Sequence, residues 1–433
     1  MSLPPIRPRD RDAVLQSLRA GVVPRVGQHL IQVGRKHEIE TLVADLDRLA
    51  DGGSAIRFVI GDYGSGKTFF LNLIRAVAME KKLVTANADL NPDRRLHATG
   101  GQARSLYAEL MRNLSTRTKP DGGAMTGIVE KFVSTAKAEA AAQGVATETV
   151  IRQKLEHLTE MVNGFDFADV IAAYYQGFET GNEQLKADAI RWLRGEFNTK
   201  TEARQALGVR AIVDDASFYD QLKLFARFVR LAGFTGFVVC LDELVNLYKL
   251  ANTAARNANY EQILRILNDT LQGNTEGLGF ILGGTPEFLQ DARRGLFSYP
   301  ALQSRLAENT FATAGLVDYS GPVLRLASLT PEDFYVLLQK VRNVHAYGVA
   351  EKFALPDEAI HAFMEHCARR VGEAYFRTPR TTITSFVGLL AVLEQNPSAR
   401  WQALLEQVDV YADTGGVADA QLEPDEDFAG FRI

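Results

Sequence analysis

Apolar residues along this chain follow two rhythms. Short, nearly unbroken runs, IRFVI (56–60), LVTANA (83–88), FVVCL (237–241) and LGFILGG (278–284), read as strands buried on both faces of a parallel sheet. Elsewhere apolar positions recur every three or four residues. This spacing predicts short helices over 12–19 and 38–50, then further helices in 105–114, 126–144, 149–162, 167–178 and 217–233. The stripe Phe167, Val170, Ile171, Tyr174 and Phe178 has helical spacing and is expected in the core. About 145 residues separate the second run from the third, far more than a strand–helix–strand crossover needs. The expected plan is therefore a lead-in (1–50), an α/β core in two parts (51–90 and 235–328) and an α-helical insertion between them (91–234). A helix-rich region (329–412) and a tail (413–433) follow. The insertion is expected to be structural with some partner contact, rather than a nucleic-acid surface.

The first run opens into Gly61-Asp62-Tyr63-Gly64-Ser65-Gly66-Lys67-Thr68, and a mostly apolar helix begins at Phe69. Strand, glycine-rich loop and helix together are the context of a Walker A motif. A triphosphate needs backbone N–H groups aimed inward, and glycine lets the chain wrap that closely. The helix start adds the positive end of its dipole. Lys67 can reach the β- and γ-phosphates, and the Thr68 hydroxyl can hold Mg²⁺. ATP and Mg²⁺ are accordingly the expected ligands.

The third run ends in Asp242-Glu243. In this reading Asp242 belongs to the metal shell and Glu243 orients the attacking water. Asp214 and Asp215 are rival acids, but they follow only a short apolar run. The fourth run ends at Thr285 before Pro286-Glu287, a helix start. Thr285 can cap that helix, and it can also touch the γ-phosphate from a strand tip.

Composition narrows the class. With 46% hydrophobic and 23% charged residues the chain reads as an ordinary globular protein. No apolar run is long enough to span a bilayer and the first residues lack a signal core, so no membrane partner and a cytoplasmic location are expected. Cys240 and Cys367 offer neither a disulfide framework nor zinc spacing. Net charge is −5, and the tail alone carries six acids and one Arg; the remainder balances 47 bases against 47 acids. DNA binding stays possible, but net charge does not support it. The tail's apolar end, FAGFRI, is expected either to be solvated or to dock in a groove.

At this point the chain resembles the AAA+ ATPases, especially their origin-recognition and STAND branch. The resemblance implies a three-layer P-loop core with a helical lid. Val33-Gly34-Arg35 looks like the segment near the adenine. Arg305, in PALQSRL, takes the place of an arginine finger, and 322–326 that of the fifth core strand. Arg380, in TPRT, takes the place of the second sensor, with Arg377 as its rival. Segments such as LDELVNLYKL (241–250) and GGTPEF (283–288) are similar to the BREX ATP-binding protein D family of bacterial defence islands. That resemblance implies a role in restricting phage or foreign DNA, with a helicase or other defence-island proteins as partners. An arginine finger implies a homo-oligomer. No winged-helix domain is expected after the lid. The expected activity is a Mg-dependent ATPase working as a motor or remodeller. A slowly hydrolysing switch or scaffold is the alternative, and a small-molecule kinase fits less well.

Overall fold

A computed structural model describes residues 5–312, 317–377 and 379–407. Thr378 and the acidic tail lie outside the described residues. The chain divides into two compact units. One comprises 35–62 and 67–327; the other comprises the lead-in up to Gly34, the loop tip 63–66 and the described residues from 328 on. The expected lead-in is thus divided at Gly34 and Arg35.

The first unit is built on a parallel sheet of five strands, β1 (Ala55–Ile60), β2 (Leu83–Asp89), β3 (Gly236–Asp242), β4 (Leu278–Gly284) and β5 (Val323–Arg325), in the order β2-β3-β4-β1-β5. Every residue of β1, β3 and β4 is buried, which is why their sequences carry no alternation. The last strand is shorter than the sequence suggests, only Val323–Arg325.

Helices cover both faces. Lys36–Ala50 and Lys67–Glu80 pack Leu42, Leu46, Leu49, Phe70, Leu71 and Ile74 against Val59, Val238, Cys240 and Ile281. On the other face, Phe237, Val239, Leu278 and Phe280 share one apolar cluster with the helices between β2 and β3. The long helical segment is thus continuous with the core of the sheet. Its helices are Gln102–Arg112, Met125–Gln143, Thr147–Leu155, Gly164–Thr180, Glu183–Leu193, Lys200–Leu207 and Phe218–Leu231. Phe167, Val170, Ile171 and Tyr174 are buried as expected, but Phe178 is 49% exposed. It lies in the last turn of its helix, where the Lys137 ammonium sits 5.4 Å from its ring centroid.

In the second unit, helix Pro8–Arg19 packs on Pro331–His345 and Arg380–Gln395. Arg11 fastens it, donating to the His345 carbonyl at 2.8 Å and to Glu394 Oε1 at 2.8 Å. A reciprocal capping box between Thr330 and Asp333 starts the helix at Pro331. Among the described residues no helix is long and apolar enough to cross a membrane.

Candidate nucleotide site at the carboxyl edge of the sheet

In open parallel sheets, ligands gather at the carboxyl ends of the strands. Here β1 leaves the sheet at Ile60 and the chain turns through Gly64 and Gly66, with φ of 76° and 80°. Both values lie in the left-handed region that glycine tolerates best. The helix then starts at Lys67. The Lys67 ammonium folds back on its own loop, donating to the carbonyls of Gly61 and Asp62 at 2.8 Å each. Burial lowers its pKa, and the charges of Asp242, Glu243, Asp62 and Glu287 oppose that shift. The ammonium thus shares a neighbourhood with both acids after β3.

Thr68 Oγ1 donates to Asp242 Oδ2 at 2.7 Å, and the Glu243 N–H donates to Asp242 Oδ1 at 2.9 Å. The first bond joins the helix after the loop to the tip of β3, although β4 lies between β1 and β3. Asp242 is only 7% exposed. A hydroxyl and a carboxylate side by side are hard oxygen donors suited to Mg²⁺, which takes one or two protein groups and fills its shell with water and phosphate oxygens. Among the described residues, no three His, Cys, Asp or Glu side chains converge as a metal cage. Glu243 has φ of 59°, a left-handed backbone that costs a non-glycine residue roughly 1–3 kcal/mol. Desolvation, then the charge of Asp242, raises its carboxyl above the usual range, and Lys67 counters this.

Thr285 is buried, and its hydroxyl accepts from the Phe288 N–H at 3.4 Å as the cap of the helix Pro286–Gln290. It follows β4, between the loop strand and the acidic strand. Arg35 has φ of 57° and starts the helix Lys36–Ala50, with its guanidinium 5.9 Å from the Phe70 ring centroid. Gly34 lies beside Asp333, and both belong to the second unit. Arg305 is exposed and engaged away from the acids: it donates to Asn268 Oδ1 at 2.7 Å and to the Ala301 carbonyl at 2.8 Å. Arg380 opens the helix Arg380–Gln395 beside Gly21, and Arg377 pairs with Glu373 at 2.6 Å. The rival acids have structural duties. Asp215 caps the Gly101 and Arg104 N–H groups, and Asp214 binds Ser217.

One acid of this edge escapes the sequence reading. Asp89 ends β2 in register with Asp242, and desolvation followed by the Asp242 charge raises its carboxyl. Its signal was weaker than that of Asp242: the run before it, LVTANA, carries Thr85 and Asn87, and no second acid follows.

A parallel sheet whose loop strand opens into a glycine-rich turn and a helix, with an acidic strand tip bonded to that helix, is consistent with a P-loop-like core. Residues 6–409 match the BREX system ATP-binding protein BrxC/D family, and the chain belongs to that family. No curated protein and no solved structure matches it. Membership supports ATP binding and a role in BREX phage defence.

Proposed function

We propose that this protein hydrolyses ATP with Mg²⁺ as an AAA+ type subunit, acting as a motor or remodeller within the defence system. The observation that carries the reading is the 2.7 Å bond from Thr68 to Asp242, which joins the loop helix to the acidic strand tip. In this reading the backbone of Gly61, Asp62, Tyr63, Gly64, Ser65 and Gly66 and the helix start at Lys67–Phe69 hold the phosphates. Lys67 moves from its own loop carbonyls to the phosphoryl oxygens. Thr68 and Asp242 hold Mg²⁺, which when bound neutralises charge on the β- and γ-phosphoryl oxygens.

Glu243 accepts a proton from the attacking water as it adds in line to the γ-phosphorus, so that ADP leaves and inorganic phosphate forms. Thr285, at the intervening strand tip, senses the γ-phosphate while capping its helix. On resemblance, Val33, Gly34 and Arg35 belong to the adenine segment and Arg380 to the second sensor. Arg305 serves the ATP of a neighbouring copy, which makes a homo-oligomer part of the mechanism; its exposure supports this. The long helical segment is the insertion, the residues after 328 are the lid, and defence-island proteins in the cytoplasm are the partners.

Glu243→Gln tests the proposal. It is expected to keep ATP affinity and to lower turnover about 10²- to 10⁴-fold, the usual worth of a positioned acid–base group. Turnover at the normal rate would remove Glu243 from the role.

A further inference from the structure

Adjacent strands lie about 4.8 Å apart, so an acid on β3 must cross β4 to meet a hydroxyl beside β1. Asp242 makes that crossing, and the β4 residue beneath it is Gly283. This glycine pairs with Val59 of β1, and its carbonyl accepts the Leu244 N–H at 3.1 Å. A Cβ built on Gly283 would overlap Asp242 Oδ1, lie 3.2 Å from Asp242 Cγ and press on Leu71 Cδ1 at 3.1 Å. The carboxylate has little room to yield. It is buried, and both of its oxygens are already bonded, one to Thr68 and one to the Glu243 N–H. Rotating it away breaks at least one of those bonds.

We propose that Gly283 is a positioning residue for the metal carboxylate: its missing side chain is the passage through which Asp242 reaches Thr68 across the intervening strand. The proposal rests on the metal role given to Asp242 above. It also assigns a function to the first half of the Gly283-Gly284 pair. The second glycine meets a different neighbour, since a Cβ on Gly284 would lie 2.7 Å from Phe288 Cδ1. Gly279, four residues back on β4, gives an internal control. A Cβ there would overlap Leu49 Cδ1, an apolar side chain far from the acids in sequence and packed in the core.

The test is the affinity of a fluorescent ATP analogue with Mg²⁺ and with EDTA, in the full chain, for wild type, Gly283→Ala, Gly279→Ala and Asp242→Asn. Gly283→Ala is expected to keep its EDTA affinity within about twofold and to lose the Mg²⁺-dependent gain by about 10-fold, as when a metal ligand's support is removed. Gly279→Ala should keep the Mg²⁺-dependent gain. If Gly283→Ala keeps the wild-type gain while Asp242→Asn loses it, the positioning role is wrong. If Asp242→Asn keeps the gain, the metal assignment beneath it is wrong. Should Gly283→Ala fold poorly, thermal unfolding in the Asp242→Ala background decides. Relief of the penalty there supports the passage, and an equal penalty in both backgrounds overturns it.

Discussion

The two edges of one sheet differ in how they treat polar groups. At the amino edge several polar groups pair within the chain. The Gly277 N–H donates to the Gly53 carbonyl at 2.9 Å, the Thr235 hydroxyl to the Lys81 carbonyl at 2.9 Å, and Arg230 pairs with Glu276 at 2.8 Å. Just inside, Arg57 of β1 is buried against Asp45, at 2.5 Å, and also donates to the carbonyls of Tyr319 and Gly321. At the carboxyl edge the same strands gather groups whose charges disagree. Burial works against the Lys67 charge, two carboxyls are pushed up, and Glu243 holds a left-handed backbone. The opposed burial of Lys67, Asp89 and Glu243 and the left-handed backbone of Glu243 mark this edge as the candidate binding site. The amino edge serves stability, and the carboxyl edge holds the proposed nucleotide site.

The largest effect that would sharpen this contrast comes from the amino side. Asp45→Ala leaves the Arg57 guanidinium buried without its carboxylate, and stability is expected to fall by about 3–5 kcal/mol. Denaturant unfolding measures this. ATP affinity of the folded fraction should be unchanged, and a loss of affinity would break the division of labour.

Thr285→Ala is expected to cost about 1 kcal/mol through the lost cap. It should also slow hydrolysis while keeping ATP affinity. If only the midpoint of unfolding moves and the turnover per folded chain is intact, Thr285 is a cap and nothing more.

The smallest expected effect lies away from both edges. His345 is buried, and desolvation followed by the Arg11 charge lowers its pKa below 6.5, although Glu394 at 3.1 Å opposes the shift. The unfolded chain therefore takes up this proton first. Stability is full above about 6.5, is lost as pH falls from there toward the folded value, and then levels off. His345→Gln should flatten the dependence of the thermal midpoint between pH 7.5 and 5.5. An unchanged slope would show that other groups set it.

How much of this was legible in the sequence follows from what each residue answers to. Lys67, Thr68 and Asp242 were legible because their environment is local: a glycine-rich turn, a helix start and an apolar strand fix them. Arg57 was not, because a charge within IRFVI says nothing of a partner twelve residues upstream. Gly283 read as part of a strand tip, and its meaning appears only once the strand order places it under Asp242. The helices Glu183–Leu193 and Lys200–Leu207 are short, with apolar stripes too narrow to stand out before packing selects them. Phe178 follows its helical stripe faithfully, but the helix outruns the surface it packs on.

The loop after β1 and the acid after β3 are proposed to serve one bound nucleotide. Calorimetric titration of ATP with Mg²⁺ into wild type and Lys67→Ala tests this shared role most directly. Wild type is expected to bind saturably, with a loss of at least about 10-fold, roughly 1.4 kcal/mol, when the ammonium is removed. Equal affinity in the two proteins would contradict it.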